Sequence, residues 1–401
     1  MVEGRGIEIK DANLIMTIKE KNSFDVVIVG SGPAGAMASI RLSTKGYRVL
    51  VIERERLPRY KACGGGLPLK SVDQIGEIGI DISPVVEKRV DGTRITYKAK
   101  DQVSMKTEGI GVMVMRDKFD SFLIGKAEKA GADVRDGEKV TGVNDNGRQY
   151  EVVTDKGVYK SDLLIGADGA NSTIAKKLGM RSHRELGVAI EREVSVEKWQ
   201  LEEQGDNATF DFGASPYGYA WIFPKRDHLS IGVYSGVGKQ KDLNDYLERF
   251  IKDQKVLDGC KTISNVWHPI PWGGAKEVLH KGRAVLAGDA AGLADPFFGE
   301  GIAFALKSGS IAANKADYYL TGRITDLKSY SDEIYQQISS DFVYARLIHK
   351  IIYFNPWLAH KIFCKNRVVN GYFADVIRGE MSFKELFRKT LYTMPKWIWA
   401  Y

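Results

Sequence analysis

Arg283-Ala-Val-Leu-Ala-Gly-Asp-Ala-Ala-Gly-Leu-Ala-Asp-Pro-Phe-Phe-Gly-Glu-Gly-Ile302 decides the fold, because from the far end of the chain it answers a glycine-rich turn, Gly30-Ser-Gly-Pro-Ala-Gly35. Residues 24–29 are a nearly continuous apolar run, a helical pattern follows over 33–45, and 48–52 reads as a second strand. A strand before and a helix after make the glycine spacing a usable dinucleotide fingerprint. Gly30 permits the tight turn, Gly32 brings backbone up to a pyrophosphate on the helix N-terminus, and Gly35 lets helix pack on strand. Glu53 ends the second strand, where its carboxylate can accept from adenosine ribose hydroxyls and disfavours a 2′-phosphate. In the far block a strand ends at Ala287, Gly288 frees the backbone, and Asp289 can bond a ribityl or ribose hydroxyl. Pro296 and Gly299-Glu-Gly301 then turn the chain into a helix starting near Ile302. The positive end of that helix is expected to face the flavin pyrimidine edge, where negative charge gathers on reduction. One glycine-rich loop says only nucleotide. The two blocks together say FAD, held between the two ends of the chain.

Between these blocks the pattern changes. A strand at 111–115, a helix at 117–130 and alternating segments through Val143, Val153 and Val158 lead to Asp162-Leu-Leu-Ile-Gly-Ala-Asp-Gly169. Strand-like stretches follow at 187–194, 209–213, 219–223 and 229–234, with one helix near 243–251. Leu327, Tyr330, Ile334, Ile338, Phe342, Ala345 and Ile348 recur at helical spacing and predict a long amphipathic helix. The expected fold is mixed α/β. A Rossmann-like FAD-binding domain (24–95, 110–179 and 281–322) carries an inserted antiparallel β-sheet substrate-binding domain (96–109 and 180–280). An N-terminal extension (1–23) and a C-terminal helical region (323–401) flank it.

A chain of 401 residues, 44% hydrophobic and 27% charged, has ordinary globular composition, which argues against disorder. The net charge of +7 suits an acidic partner, and residues 352–401 supply most of it, with eight Lys or Arg against three Asp or Glu. The same tail ends Lys396-Trp397-Ile398-Trp399-Ala400-Tyr401. Aromatics beside cations suit the headgroup region of a membrane, so peripheral contact is expected there rather than nucleic-acid binding. A packed helical cap with a solvated basic face explains the same residues. No run approaches the roughly 20 apolar residues a spanning helix needs. The first residues lack the apolar core of a signal peptide, so a cytoplasmic or stromal-type location is expected. Three dispersed cysteines, Cys63, Cys260 and Cys364, offer no disulfide framework and no four-cysteine iron-sulfur site, and no metal is expected.

The fingerprint, Gly166-Ala-Asp168-Gly169-Ala-Asn-Ser172 and the Asp289 block together resemble flavoproteins of the p-hydroxybenzoate hydroxylase fold. Two further segments, Pro58-Arg-Tyr-Lys-Ala-Cys-Gly-Gly-Gly-Leu-Pro68 and Tyr217-Gly-Tyr-Ala-Trp-Ile-Phe-Pro224, resemble geranylgeranyl reductases. The second matches that family's Tyr-x-Trp-x-Phe-Pro pattern. The resemblance implies a cysteine near the flavin, here Cys63, that tunes flavin reactivity or helps place or protonate substrate; a small buried hydrophobe is the plainer explanation. Tyr219, Trp221 and Phe223 alternate on a predicted strand and so share one face, which can wall an apolar tunnel or simply pack as core. The family's Gly-x-Gly-like turn after Pro224 is altered, with Gly232-Val-Tyr234 lacking the second glycine. The candidate cofactor contacts are Gly30, Gly32, Ala34, Gly35, Glu53, Arg54, Cys63, Gly64, Gly66, Arg116, Val140, Asp168, Asp289, Gly299, Gly301 and Ile302. Arg116, between a strand and a helix, suits a phosphate or ribityl contact or a surface ion pair.

The implied reaction is saturation of C=C bonds in a geranylgeranyl chain by hydride from reduced FAD, with Cys63, Tyr219 or water as proton donor. The substrate would be a prenyl lipid and the electron donor NADPH or a ferredoxin-like protein. A monooxygenase or halogenase of the same fold is the alternative. Halogenases carry Trp-x-Trp-x-Ile-Pro at a comparable place, where this chain has Tyr219 and Phe223. A non-enzymatic prenyl-lipid carrier is a third reading, opposed by the intact fingerprint, Asp289 block and Cys63 loop.

Overall fold

The computed structural model describes residues 22–180, 186–236, 240–273, 276–361 and 366–398. Nearly all of the expected N-terminal extension, Cys364 and the closing Trp399-Ala-Tyr401 lie outside them.

Two eight-stranded sheets organise the described residues. In the first, β1 (Ser23–Val29) runs parallel to β2 (Val49–Ile52) and to β9 (Val158–Gly166). β2 pairs onward with β6 (Asp133–Arg135), and β9 with β16 (Ala284–Leu286). β15 (His280–Lys281) closes one edge, and the hairpin of β7 (Val140–Asp145) and β8 (Tyr150–Thr154) joins β9. Val26, Val27 and Ile28 are fully shielded, which is why β1 reads as a continuous apolar run rather than an alternating one. Pro33 opens α1 (Pro33–Thr44) with its φ already helical. The helix of the far block, α6 (Ile302–Leu320), packs along α1 so closely that a Cβ on Gly309 would stand 2.2 Å from the Ala34 carbonyl oxygen. Lys45 and Tyr47 both reach Asp317 on α6, at 2.6 and 2.8 Å.

The second sheet has the order β14 (Lys261–Pro271), β10 (Leu186–Ser195), β13 (Leu229–Ser235), β12 (Gly218–Pro224), β11 (Asn207–Phe212), β4 (Val86–Tyr97), β5 (Lys100–Val114), β3 (Gly66–Pro68). Its neighbours are antiparallel except β11 and β4, which are parallel. The sheet therefore includes β3, residues 86–95 of β4 and the end of β5, which the expected boundaries 24–95 and 110–179 gave to the FAD-binding unit. β4 and β5 concealed this because their ladder shifts register at three places, which destroys the two-residue period. β14 also escaped the sequence reading. It is an edge strand with exposed polar positions and two prolines near its end.

The two faces of this sheet bury different things. Ala220 and Ile222 pack with α5 (Gln240–Asp253) on one face. Tyr219 and Trp221, with Phe223 against them, join a cluster on the other face with Phe297 and the C-terminal helices. Those helices begin with α7 (Lys328–Ile334), which continues through a π-helical turn at Tyr335–Ser339 into α8 (Ser340–Phe354), so the long helix expected from Leu327 to Ile348 is present with one turn widened. α9 (Arg367–Arg378) and α10 (Phe383–Ile398) follow.

Candidate active site

The two ends of the chain meet at Ala34. A Cβ on Gly288 would lie 3.0 Å from the Ala34 Cβ, so the Asp289 turn and the first helix share a wall. Gly35 is required by the same crowding, since a Cβ there would fall 1.9 Å from the Gly30 carbonyl oxygen. Gly30 has φ +104°, and its own Cβ would strike the Ala167 oxygen at 2.3 Å. Gly32 differs: the nearest atom a Cβ would meet is an Arg59 guanidinium nitrogen at 3.8 Å. Open space beside a helix N-terminus, with a cation facing it, suits a pyrophosphate. Glu53 stands beyond, accepting from the Ser31 amide and hydroxyl at 3.0 and 2.6 Å and pairing with Arg59 at 3.3 Å. Burial opposes its charge, but Arg59 and these donors outweigh that and hold its pKa below the usual range. The backbone cradle, the Glu53 carboxylate and Asp289 fit FAD.

The remaining candidates fall in different places. Gly64, Gly66, Gly299, Gly301 and Ile302 line one cavity with Gly32, Ala34, Cys63, Arg116 and Asp289. Arg54 instead extends into solvent against Glu55 at 3.3 Å, and Val140 is buried at the start of β7, two residues beyond Glu138, whose amide donates to the Glu53 carbonyl. Asp168 departs from the expectation. Its carboxylate accepts from Ser172 Oγ at 2.5 Å and from the Thr173 and Ile174 amides at 2.6 and 3.1 Å, which caps α4 (Thr173–Lys177). Its neighbours Ala167 and Gly169 line the cavity instead. Arg116 is not a surface ion pair. It is buried on α3 (Arg116–Lys129), grips Asp120 through two hydrogen bonds of 2.8 Å and lines the same cavity as Cys63.

The Cys63 loop and the aromatic strand interlock. A Cβ on Gly64 would lie 2.9 Å from the Phe223 ring and 3.0 Å from Trp221 Nε1, and one on Gly65, at φ +69°, would strike the Val114 oxygen at 2.0 Å. Lys225, next after Pro224, is buried and donates to the Gly64 and Val114 carbonyls at 2.8 and 2.9 Å. Gly64 and Gly65 are therefore demanded by packing against β12 and β5, whereas a Cβ on Gly66 would meet its nearest atom at an ordinary 3.7 Å. Across the sheet Gly232 pairs with Trp221, whose ring would lie 2.2 Å from a Cβ there, so this glycine is what lets the indole lie flat on the sheet. Tyr234, in place of a second glycine, fills the wall beside Tyr219 at a ring separation of 5.5 Å. Tyr219 was a candidate proton donor, but its hydroxyl donates to the Phe298 carbonyl at 2.5 Å. Burial, with Asp295 nearby, pushes its pKa up.

Several residues at the site gave no signal in the sequence. Lys61 Nζ lies 3.3 Å and His268 Nε2 3.9 Å from Asp289 Oδ2. Burial opposes the Asp289 charge, but Lys61 and His268 hold its pKa well below the usual range. His268 comes from β14, the strand that went unread, and Lys61 lies inside the Cys63 segment, whose cysteine and glycines alone drew attention. A second, mainly apolar cavity lies behind Phe210, Phe298 and Ile377, which line both; Ile95, Phe297, Ile352 and Ala374 are among its other walls, with Thr93, His360 and Asn370.

Comparison with known proteins agrees with this geometry. A family described as an FAD binding domain matches residues 23–338. The digeranylgeranylglycerophospholipid reductase of Methanococcus vannielii is 30% identical over 333 residues, covering 79% of this chain and 81% of its own. The chloroplastic geranylgeranyl diphosphate reductase of Oryza sativa is 29% identical over 354 residues, covering 82% and 75%. Among solved structures, a geranylgeranyl bacteriochlorophyll reductase-like protein from Thermoplasma acidophilum superposes with TM-score 0.79 at 24% identity over 92% of this chain and 98% of its own. The flavin-dependent brominase Bmp2 gives TM-score 0.72 at 22% identity over 89% and 94%, so the fold alone does not separate the chemistries. FAD is the cofactor, and the chain is an FAD-binding oxidoreductase that belongs to the geranylgeranyl reductase family.

Proposed function

We propose that the protein saturates carbon-carbon double bonds of a geranylgeranyl chain, the hydride coming from reduced FAD. The observation that carries this reading is the interlock of the Cys63 loop with the Tyr219–Pro224 strand over one cavity that also reaches the FAD cradle. An isolated alkene has no dipole to grip, so the protein's task is alignment and exclusion of water. Phe210, Trp221, Phe223 and Phe298 supply apolar walls. Burying a chain of about 20 carbons contributes on the order of 16 kcal/mol as an upper bound. Glu53 and Asp289 anchor hydroxyls of the cofactor, and with Tyr219 committed to Phe298, protonation falls to the Cys63 side of the cavity. The altered first position of the halogenase pattern, Tyr219, favours reduction over halogenation.

The lipid nature of the substrate agrees with the outer surface. Val343, Leu347, Ile351 and Phe354 form an exposed apolar stripe on α8, whose inner face is buried, with Lys350 beside it. We assign this stripe to peripheral contact with a membrane. NADPH or a ferredoxin-like protein would supply the electrons.

The test is anaerobic mixing of the reduced protein with geranylgeranyl diphosphate, an unsaturated archaeal-type lipid and geranylgeranylated chlorophyll, read by mass spectrometry. The expected result is a gain of two hydrogens per double bond with at least one of them. No gain with any, despite bound FAD, overturns the reading, and rapid NADPH oxidation with oxygen uptake points to hydroxylation instead.

A further inference from the structure

Glu191 and Glu193 stand at alternate positions of β10, so both project from the cavity face of the second sheet. The register places Glu191 level with Gly232 and Trp221, and Glu193 level with Ser230 and Phe223. Only 2% and 3% of these residues is exposed. Glu191 lines the cavity and Glu193 is buried behind it, and two such carboxyl groups carry a large desolvation cost unless they are bonded. Glu191 Oε2 accepts from the Cys63 amide at 2.6 Å and the Tyr60 hydroxyl at 3.2 Å, and Oε1 from Ser230 Oγ at 3.3 Å. Glu193 follows two residues on along the same face of the strand, close enough for its charge to act on Glu191. Glu193 Oε2 lies 3.2 Å from His228 Nε2, and His228 Nδ1 lies 2.7 Å from Asp227 Oδ1. The Asp227 side chain is 82% exposed. Four titratable groups thus lead from solvent towards the cavity wall beneath Cys63. The other ionisable groups facing them are Tyr60 and Cys63 from the loop and Lys225 from the end of β12, with Glu87 and Arg116 beyond.

We propose that Asp227, His228, Glu193 and Glu191 form a chain that feeds protons to the cavity for double-bond reduction. This rests on the reaction proposed above. Each saturation breaks one π bond and forms two C–H bonds: one alkene carbon receives hydride, with both electrons, from reduced FAD, and the other receives a proton. That proton leaves Glu191, directly or through the Cys63 thiol, and Glu191 is recharged by Glu193, Glu193 by His228, and His228 by bulk water. Burial and the adjacent Glu193 push the Glu191 carboxyl well above the carboxylate range, the direction a proton donor needs. Burial works against the His228 cation, but its bonds to Glu193 and Asp227 outweigh that and raise its pKa.

Infrared spectroscopy and NMR of the resting FAD-bound protein test the chain without turnover. Glu191→Gln should remove a protonated-carboxyl band, and Glu193→Gln should lower the titration midpoint of His228. In turnover, Glu191→Gln should lower kcat on the order of 100-fold with FAD affinity and KM kept, and Glu191→Asp should restore part of it. His228→Ala, beside the exposed Asp227, should slow turnover and be rescued by added imidazole. A carboxyl band and kcat unchanged in Glu191→Gln, or a His228→Ala loss that imidazole fails to rescue, overturns the chain. A wild-type protein that reduces no prenyl substrate overturns the reaction instead, while the band and the His228 titration still decide whether the four groups share a proton.

Discussion

Arg116 and Asp120 sit one turn apart on α3, both buried, and meet through two nearly parallel hydrogen bonds. Arg59 reaches the same carboxylate at 3.2 Å. Asp120→Asn leaves two guanidinium groups facing an uncharged amide, and removing one partner of a buried pair costs about 3–5 kcal/mol. Urea unfolding at pH 7 measures this loss. Burial opposes the Asp120 charge, yet Arg116 and Arg59 overcome it and hold the pKa below the usual range. The resulting stability is complete above an ordinary aspartate pKa of about 3.9 and fades as pH falls through the lowered value, so the gap between wild type and Asp120→Asn narrows in acid. Gly64→Ala acts on the other side of Cys63: its methyl group meets Trp221 and Phe223, so we expect retained FAD, by absorbance, with weakened prenyl binding. The sequence singled out Arg116, Gly64 and Gly66, which line one cavity, but the partners around them are set by tertiary packing. Asp120, Lys225 and Trp221 are joined to them only by tertiary packing, which no spacing rule encodes.

Elements with one strong local reason were legible. β1 and α1 declare themselves by a buried apolar run, a glycine turn and a proline start, and β12 by its alternating aromatics. β4, β5 and β14 were not, because register shifts and an edge position loosen the match between sequence period and burial. That loss hid the parallel pairing of β11 with β4 and the capture of β3, and so moved the domain boundaries. α9 matters at the same scale. Its Ala374 lines the second cavity behind Phe210 and Phe298, which the first cavity shares. If that space takes the far end of a long prenyl chain, Ala374→Leu shortens the chain that fits: KM rises for a geranylgeranyl substrate and stays level for a geranyl one, at an overpacking cost of about 1–3 kcal/mol read by thermal unfolding.

For the whole molecule, the net charge of +7 and the apolar stripe on α8 act together. Phe354 is 91% exposed, and no helix among the described residues is long and apolar enough to cross a membrane. On the proposed membrane contact, adsorption would depend on both terms. Phe354→Ser with Leu347→Ser should reduce co-sedimentation with anionic vesicles several-fold at constant salt, and raising salt should weaken the wild type through its charges alone. Prenyl diphosphate reduction in detergent-free solution should be unchanged by the double substitution, because neither residue lines either cavity.

The contact of Gly288 and Gly309 with Ala34 has a consequence for how the protein comes into being. Arg41 and Asn314, which bond across the same pair of helices, are 273 positions apart. A ribosome delivers the fingerprint first, then the whole second sheet, and only near the end the helix that completes the flavin's seat. The nascent chain therefore spends most of its synthesis unable to hold FAD, with the α6-facing side of α1 uncovered, and contacts of such sequence separation form slowly. Supply of the vitamin-derived cofactor then governs how much newly made protein survives, since ligand that binds only the finished form draws the population toward it.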